Sequence, residues 1–233
     1  MKKINWKSLF VVLALGGIWG ILEATLGTLL HFTGVAKTFL SSSIIMVPIA
    51  YAILSIGYKN TGKLRSIFLI GVIAGAIKLS AFLVPGIAAN FVINPAISIV
   101  LESAAFGLAV YVIKPQSMLS YKGIAVILLA GITFRLSFTL YQLATVVPFG
   151  STSFNYVDGV LSFNADGFVK FNITQNAISC AYTIALGCAG LGIKKFCENK
   201  NIKINTQLLK KIVYSPAMSI MLVGAAVALT VIL

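Results

Sequence analysis

The stretch LFVVLALGGIWGILEATLGTLL, Leu9–Leu30, decides the fold class. It holds twenty-two residues and a single charged side chain, Glu23. At 1.5 Å per residue a helix of that length is about 33 Å long, enough to cross a hydrocarbon layer of about 30 Å. Lys2, Lys3 and Lys7 precede it, as in a signal peptide. The run is nevertheless too long for a signal core, lacks a small-residue cleavage site and carries an acid, so it reads as a mature membrane helix. Six more apolar stretches follow, at Ser41–Tyr58, Ser66–Val84, Pro95–Ile113, Gly123–Val147, Ile173–Ile193 and Ile212–Leu233. Pro48 falls inside the short second stretch, where a kink is expected.

The composition agrees. Of 233 residues, 59% are hydrophobic and only 10% charged, with a mean hydropathy of +1.00. Soluble domains carry roughly 25% charged residues, so this chain cannot cover itself with a water-soluble surface. The expected fold is all-α: a polytopic bundle of six to seven transmembrane helices forming one integral-membrane domain over residues 1–233. Residues 1–193 make a six-helix core, and 212–233 add a C-terminal helix.

Eighteen Lys and Arg against five Asp and Glu give a formal charge of +13. In a soluble protein that excess would suggest nucleic acid. Placed on the spans, fourteen basic residues fall at one end: three at the N-terminus, three between spans two and three, two between four and five, and six between six and seven. Lys37 and Lys170 alone mark the other end. Basic connections stay in the cytoplasm, so the N-terminus is expected there, in the plasma membrane, with no nucleic-acid partner.

The outer connections differ in kind. Residues near His31–Leu40 form a short one. Pro85–Pro95, bracketed by prolines and largely apolar, is expected to dip back among the helices, since irregular backbone at that depth must face protein or a cavity. The longest, about Pro148–Asn172, carries Val160–Phe163 and Phe168–Phe171 on either side of Asn-Ala-Asp-Gly, which reads as a small β-hairpin. A long aromatic loop of this kind is more often a lid than a passive connector.

Several patterns carry no chemistry. Gly57-Tyr-Lys-Asn-Thr-Gly62-Lys63 matches phosphate-loop spacing, but Leu64 stands where magnesium needs a hydroxyl, and the segment joins two spans. Gly187-x-x-Gly190-x-Gly192 ends a span and suits close helix packing. Asn172-Ile-Thr174 is a glycosylation sequon by pattern alone. Cys180, Cys188 and Cys197 form no CxxC pair and support neither a disulfide framework nor zinc. One histidine and no clustered carboxylates leave no catalytic or metal constellation, so neither an enzyme nor a cofactor is expected.

What remains is a set of polar groups inside the spans. Glu23, Lys78, Glu102 and Arg135 lie in four different spans and cancel in charge. Each costs about 2.5–3.5 kcal/mol at a bilayer centre on insertion scales. They are either two ion pairs that fix helix register or the lining of a pocket. By rise per residue, Glu23, Lys78 and Glu102 are expected roughly 10 Å from the outer surface and Arg135 at about 18 Å, near the middle. That distribution suits a cavity opening outward. Helical spacing adds Thr139 and Gln142 on the face of Arg135, with Gly131 a turn below. It also adds Asn94 and Ser98 in line with Glu102, and Gly27 and His31 in line with Glu23. Phe138, Tyr141, Phe154, Tyr156 and Phe163 read as lipid belt and loop core. The substrate-binding candidates are thus Glu23, His31, Lys78, Asn94, Glu102, Arg135, Thr139 and Gln142. Gly16, Gly20 and Ala24 form a small-residue stripe on the first span, for internal packing or for a partner helix.

With its basic inner side, small-residue first helix and outward polar pocket, residues Leu9–Ile193 resemble the substrate-binding (S) component of energy-coupling factor transporters. Members of that family are typically six-helix proteins that capture a vitamin or similar micronutrient from outside. They deliver it by joining a transmembrane T component and two ATPases. Their first helix carries an Ala-x-x-x-Ala face for the T component, and here Gly16, Gly20 and Ala24 would be its counterpart. The seventh span departs from the family pattern. The resemblance implies uptake of a small organic micronutrient, with the T component and ATPases as partners. Two other classes stay open: a self-sufficient proton-coupled transporter and a structural or assembly membrane protein. No inverted repeat is visible between the halves, and the inner half of the spans holds no charged residue, which counts against the former.

Overall fold

The computed structural model describes residues 6–27, 29–30, 42–117, 120–149, 168–200 and 214–232. Among them are seven helices and no strand. α1 is Trp6–Leu22, continued by a π-helical turn at Glu23–Gly27. α2 is Ser42–Thr61, and α3 is Leu64–Leu79, ending in a 3-10 turn at Ser80–Leu83. α4 is Ala89–Ile113 and α5 is Tyr121–Phe149. α6 is Asn176–Asn199, entered through a π-helical turn at Lys170–Gln175, and α7 is Pro216–Ile232. The first six are long and apolar enough to cross a membrane, while α7 is a shorter apolar helix. The expected polytopic helix bundle is therefore observed.

Six helices close a ring in the order α1, α3, α4, α5, α6, α2, with α2 also touching α3 and α4. α7 lies outside the ring against α1 and α3. One end of the bundle carries the start of α1, the α2–α3 and α4–α5 connections and the close of α6. It is called the basic end below, for the lysines that sequence places there.

Close approach between helices rests on glycine. A Cβ on Gly16 would meet Ile73 of α3 at 2.7–2.8 Å. One on Gly20 would meet Ile77 at 2.9 Å and Ala226 of α7 at 3.1 Å. One on Gly17 would meet the α7 backbone at Leu222 and Val223, at 2.9 Å. Between α3 and α4, Gly71 sits directly on the side chain of Ser103. α7 starts as sequence rules prescribe: Pro216 fills the first helical position, and Ser215 Oγ accepts the backbone N–H of Met218 at 3.3 Å. The Ser219 hydroxyl then donates to the carbonyl of Phe10 at 3.0 Å, tying α7 to α1.

Two expectations about connections are corrected. Pro85–Pro95 does not dip back as irregular chain. Residues 85–89 are exposed, and α4 begins at Ala89, so that Pro95 lies in its second turn. Pro95 has no N–H for the Phe91 carbonyl, so the helix loses one intrahelical bond there. Phe168–Phe171 forms no strand either: it is helical and leads into α6, with Phe171 buried at 3% exposure. Helical phase carries Phe171 inward with Gln175, which alternation in a strand would not do. Val160–Phe163, the other half of the expected hairpin, lies outside the described residues.

Candidate solute-binding site

The earlier start of α4 resets the depth of its acid. Glu102 is thirteen residues from Ala89 and eleven from Ile113, so it sits near mid-bundle, about 20 Å from the helix start, and not at the level of Glu23. Arg135 is fourteen residues from either end of α5, about 21 Å in. The four charges therefore form two tiers. Glu102 and Arg135 occupy the middle, at 4% and 1% exposure. Glu23 and Lys78 lie toward the end opposite the basic one, with Glu23 buried and Lys78 half-buried. Glu23 feels the charge of Lys78, and Glu102 feels those of Arg135 and Glu23. The Glu23 carboxyl folds back along its own π turn, so a Cβ on Gly27 would meet it at 3.1 Å.

Arg135 is buried and held by two side-chain hydrogen bonds. Its Nη1 donates to Gln175 Oε1 at 3.0 Å and its Nη2 to Ser179 Oγ at 3.1 Å. The guanidinium lies 4.5 Å from the ring centre of Phe171 and 5.8 Å from that of Phe134. Such a planar cation is weakly hydrated and stacks well on aromatic faces, which lowers the cost of burying it. Gly131, one turn toward the basic end, allows α6 to come in: a Cβ there would strike the side chains of Asn176 and Cys180.

Above Arg135, toward the opposite end, polar pairs continue across the α4–α5–α6 side of the ring. Thr139 and Asn172 exchange side-chain contacts at 3.2–3.3 Å, and the Tyr141 hydroxyl donates to Asn94 Oδ1 at 3.0 Å. Phe138 packs beside Tyr141 and Phe171, with ring centres 5.7 and 6.0 Å away. These side chains form a polar column from one end of the bundle to its middle.

In the interior some polar atoms lack partners. Trp19 Nε1, Tyr51 Oη, Asn94 Nδ2, Glu102 Oε1 and Gln142 Oε1 are all buried and have no hydrogen-bond partner among the described residues. A buried polar group left unsatisfied costs roughly 1–3 kcal/mol. Five of them amount to about 5–15 kcal/mol, comparable to the whole stability of a typical domain. Three of the five, on Asn94, Glu102 and Gln142, belong to α4 and α5, while Trp19 is on α1 and Tyr51 on α2.

Of the expected site residues, Asn94, Glu102, Arg135, Thr139 and Gln142 come together here. Glu23 and Lys78 form a separate tier on α1 and α3, and His31 lies outside the described residues, as do Phe154, Tyr156 and Phe163 of the loop. The stripe of Gly16, Gly20 and Ala24 is buried within the chain, covered by α3 and α7 where Gly16 and Gly20 meet them. Sequence reasoning missed Gln175 and Ser179, which hold Arg135, and Asn172, Tyr51 and Trp19. For α6 the signal was present: Gln175, Ser179 and Thr183 repeat at i, i+4, the spacing that found the α4 and α5 faces. Tyr51 and Trp19 had no such companions and read as core aromatics. The two π turns carry Glu23 on α1 and Phe171, Asn172 and Gln175 before α6, and such turns are frequent at functional sites.

Compared with protein-family models, curated proteins and solved structures, the chain gives no significant match to any of them.

Proposed function

We propose that the protein binds a small organic solute, of micronutrient type, between α4, α5 and α6 and serves its uptake across the plasma membrane. The observation that carries this reading is the set of buried polar atoms on Glu102, Gln142, Asn94 and Tyr51 that have no partner among the described residues, together with a buried Arg135 held by Gln175 and Ser179. An intramembrane site of ionisable and amide groups is functional by default, because stability alone would favour apolar packing. The column runs from mid-bundle to the end opposite the lysines, which by the positive-inside rule is the external one. Solute therefore reaches Glu102 and Arg135 from outside. The site offers hydrogen-bonding groups and two opposite formal charges, the chemistry of recognition and not of bond breaking.

Delivery inward with a T component and ATPase subunits belongs to this proposal through the resemblance of the first six spans. The cover that α3 and α7 place over Gly16 and Gly20 means that such partners would engage α1 only after α7 shifts, or would use another face. A second reading has one observation in its favour. Glu102 is a mid-depth carboxylate with an unpartnered oxygen, the attribute of a proton carrier in a self-sufficient transporter. Native mass spectrometry of the purified protein tests the binding claim: wild type should retain a small-molecule adduct that Glu102→Ala loses. A folded Glu102→Ala protein with an undiminished adduct would refute it. Uptake abolished by an uncoupler without any ATPase would favour the second reading.

A further inference from the structure

A cavity of about 290 Å³ lies in the basic-end half of the ring, between α2, α4, α5 and α6. Pro48, Tyr51, Phe106, Ile127, Thr183 and Leu191 are among its walls, which are mostly apolar. It is not separate from the polar cluster. Each contributing helix carries one stripe from the cluster into the cavity at i, i+4 spacing, a step of about 6 Å. On α4 the stripe runs from Glu102 to Phe106. On α5 it runs from Arg135 through Gly131 to Ile127, and on α6 from Ser179 through Thr183 to Gly187. On α2 a single residue belongs to both. The Tyr51 ring packs on Phe106, with centres 5.0 Å apart, and forms the cavity wall, while its hydroxyl is among the partnerless atoms within the electrostatic reach of Glu102 and Arg135.

From this continuity we infer that the solute is an amphiphile: a neutral hydrogen-bond-donating head at Glu102 and Tyr51, and an apolar body seated in the cavity below. The inference rests on the binding reading above and narrows its substrate class. The head follows from charge and valence. The formal charges of Glu102 and Arg135 cancel, and the Arg135 fork is engaged by the neutral side chains of Gln175 and Ser179. A second full charge would therefore enter the interior uncompensated, whereas a hydroxyl adds none and satisfies Glu102 Oε1. The body follows from volume. The cavity has about twice the roughly 150 Å³ that holds benzene in an engineered apolar cavity, which is room for roughly a dozen carbon atoms. Ile124, Leu186 and Leu191 belong to its walls and are exposed on the outside of the bundle, so the body of the solute can also arrive sideways from the bilayer.

The test uses the full-length protein in detergent micelles and two naphthalene probes that differ by one oxygen, 1-naphthalenemethanol and 1-methylnaphthalene, with benzyl alcohol as the short-bodied alcohol. The naphthyl alcohol should bind saturably and at least tenfold more tightly than either of the others. Ala52→Phe projects a ring into the cavity and should weaken the naphthyl alcohol at least tenfold, and Ala52→Val, the milder change, should weaken it less. Equal binding of the alcohol and the methyl compound would reveal an apolar seat for lipid chains and overturn the inference. No saturable binding of the alcohol, or an affinity indifferent to a folded Ala52→Phe or Ala52→Val variant, would overturn it too. The two levels separate cleanly. If Glu102→Ala abolishes the co-purifying adduct while the Ala52 variants change nothing, solute binding stands and the amphiphile fails; if Glu102→Ala leaves the adduct intact, both fail.

Discussion

Replacing Tyr51 by Phe should make the protein more stable and less able to bind. The side chain is 2% exposed and its ring is fixed against Phe106, a contact that Phe retains. Only the hydroxyl is lost, and that hydroxyl is buried with no partner among the described residues. An unsatisfied buried hydroxyl costs roughly 1–3 kcal/mol, so its removal should return about 1–2 kcal/mol to the folded state. For a chain of 150–250 residues each kcal/mol moves the unfolding midpoint by about 2–4 °C, which places the expected rise at about 2–8 °C. The buried thiol of Cys180 is a suitable reporter, since a thiol-reactive dye reaches it only on unfolding once the other two cysteines are alanine. Solute affinity, measured on the same preparations, should fall at least tenfold, because the donor or acceptor offered to the solute is gone. A midpoint lowered by 2 °C or more with unchanged affinity would refute the reasoning. It would mean that the hydroxyl supports the fold from within, and the partnerless atoms would lose their claim to mark a site.

Other consequences can be checked separately. Arg135→Lys keeps the charge but loses the fork to Gln175 and Ser179 and the stack on Phe171; breaking a buried charged network in this way should cost about 3 kcal/mol, read as a lowered unfolding midpoint, with solute binding lost. Gly71→Val forces side-chain atoms onto Ser103 and should destabilise the α3–α4 contact by about 1–3 kcal/mol in the same assay, without altering affinity per folded molecule. Cys197 lies near the basic end of α6 and is partly exposed. With the other cysteines replaced, a membrane-impermeant maleimide should label it only after intact cells are permeabilised; labelling from outside would reverse the orientation read from the lysines.

Most of the bundle is legible in the sequence because lipid imposes one rule on every span: about twenty apolar residues in a row. That rule located α1 to α6 to within a few residues at most ends. It misplaced the start of α4, where Pro95 looked like a boundary and proved to be a second-turn proline after an exposed connection. Six residues of error at one end moved Glu102 from the outer third to the middle of the bundle. The strand expected at Phe168–Phe171 failed for a related reason. Alternation in Phe-Val-Lys-Phe is too short to outweigh the burial of Phe171 against Arg135. At the site, Asn94, Glu102, Arg135, Thr139 and Gln142 were readable because each repeats with another polar residue one turn away. Tyr51 was not, because an aromatic in an apolar span gives no sign of whether its oxygen has a partner.

The hydrogen bond from Ser219 to Phe10 joins residues 209 apart in sequence. Ribosomes add roughly 5–20 residues per second, so α7 emerges about 10–40 s after the segment of α1 it will cover. Once α3 has followed, the small face around Gly17 and Gly20 has that helix on one flank and still lacks α7 on the other. An inserting ribosome therefore delivers a helix with an open, closely approachable side into the bilayer and leaves it so for several seconds or more, far longer than the roughly 0.1–1 μs of helix–coil relaxation. Assembly of this protein is thus paced by translation, and whatever shields α1 in the meantime, lipid or insertion machinery, must release it again before the last helix can dock.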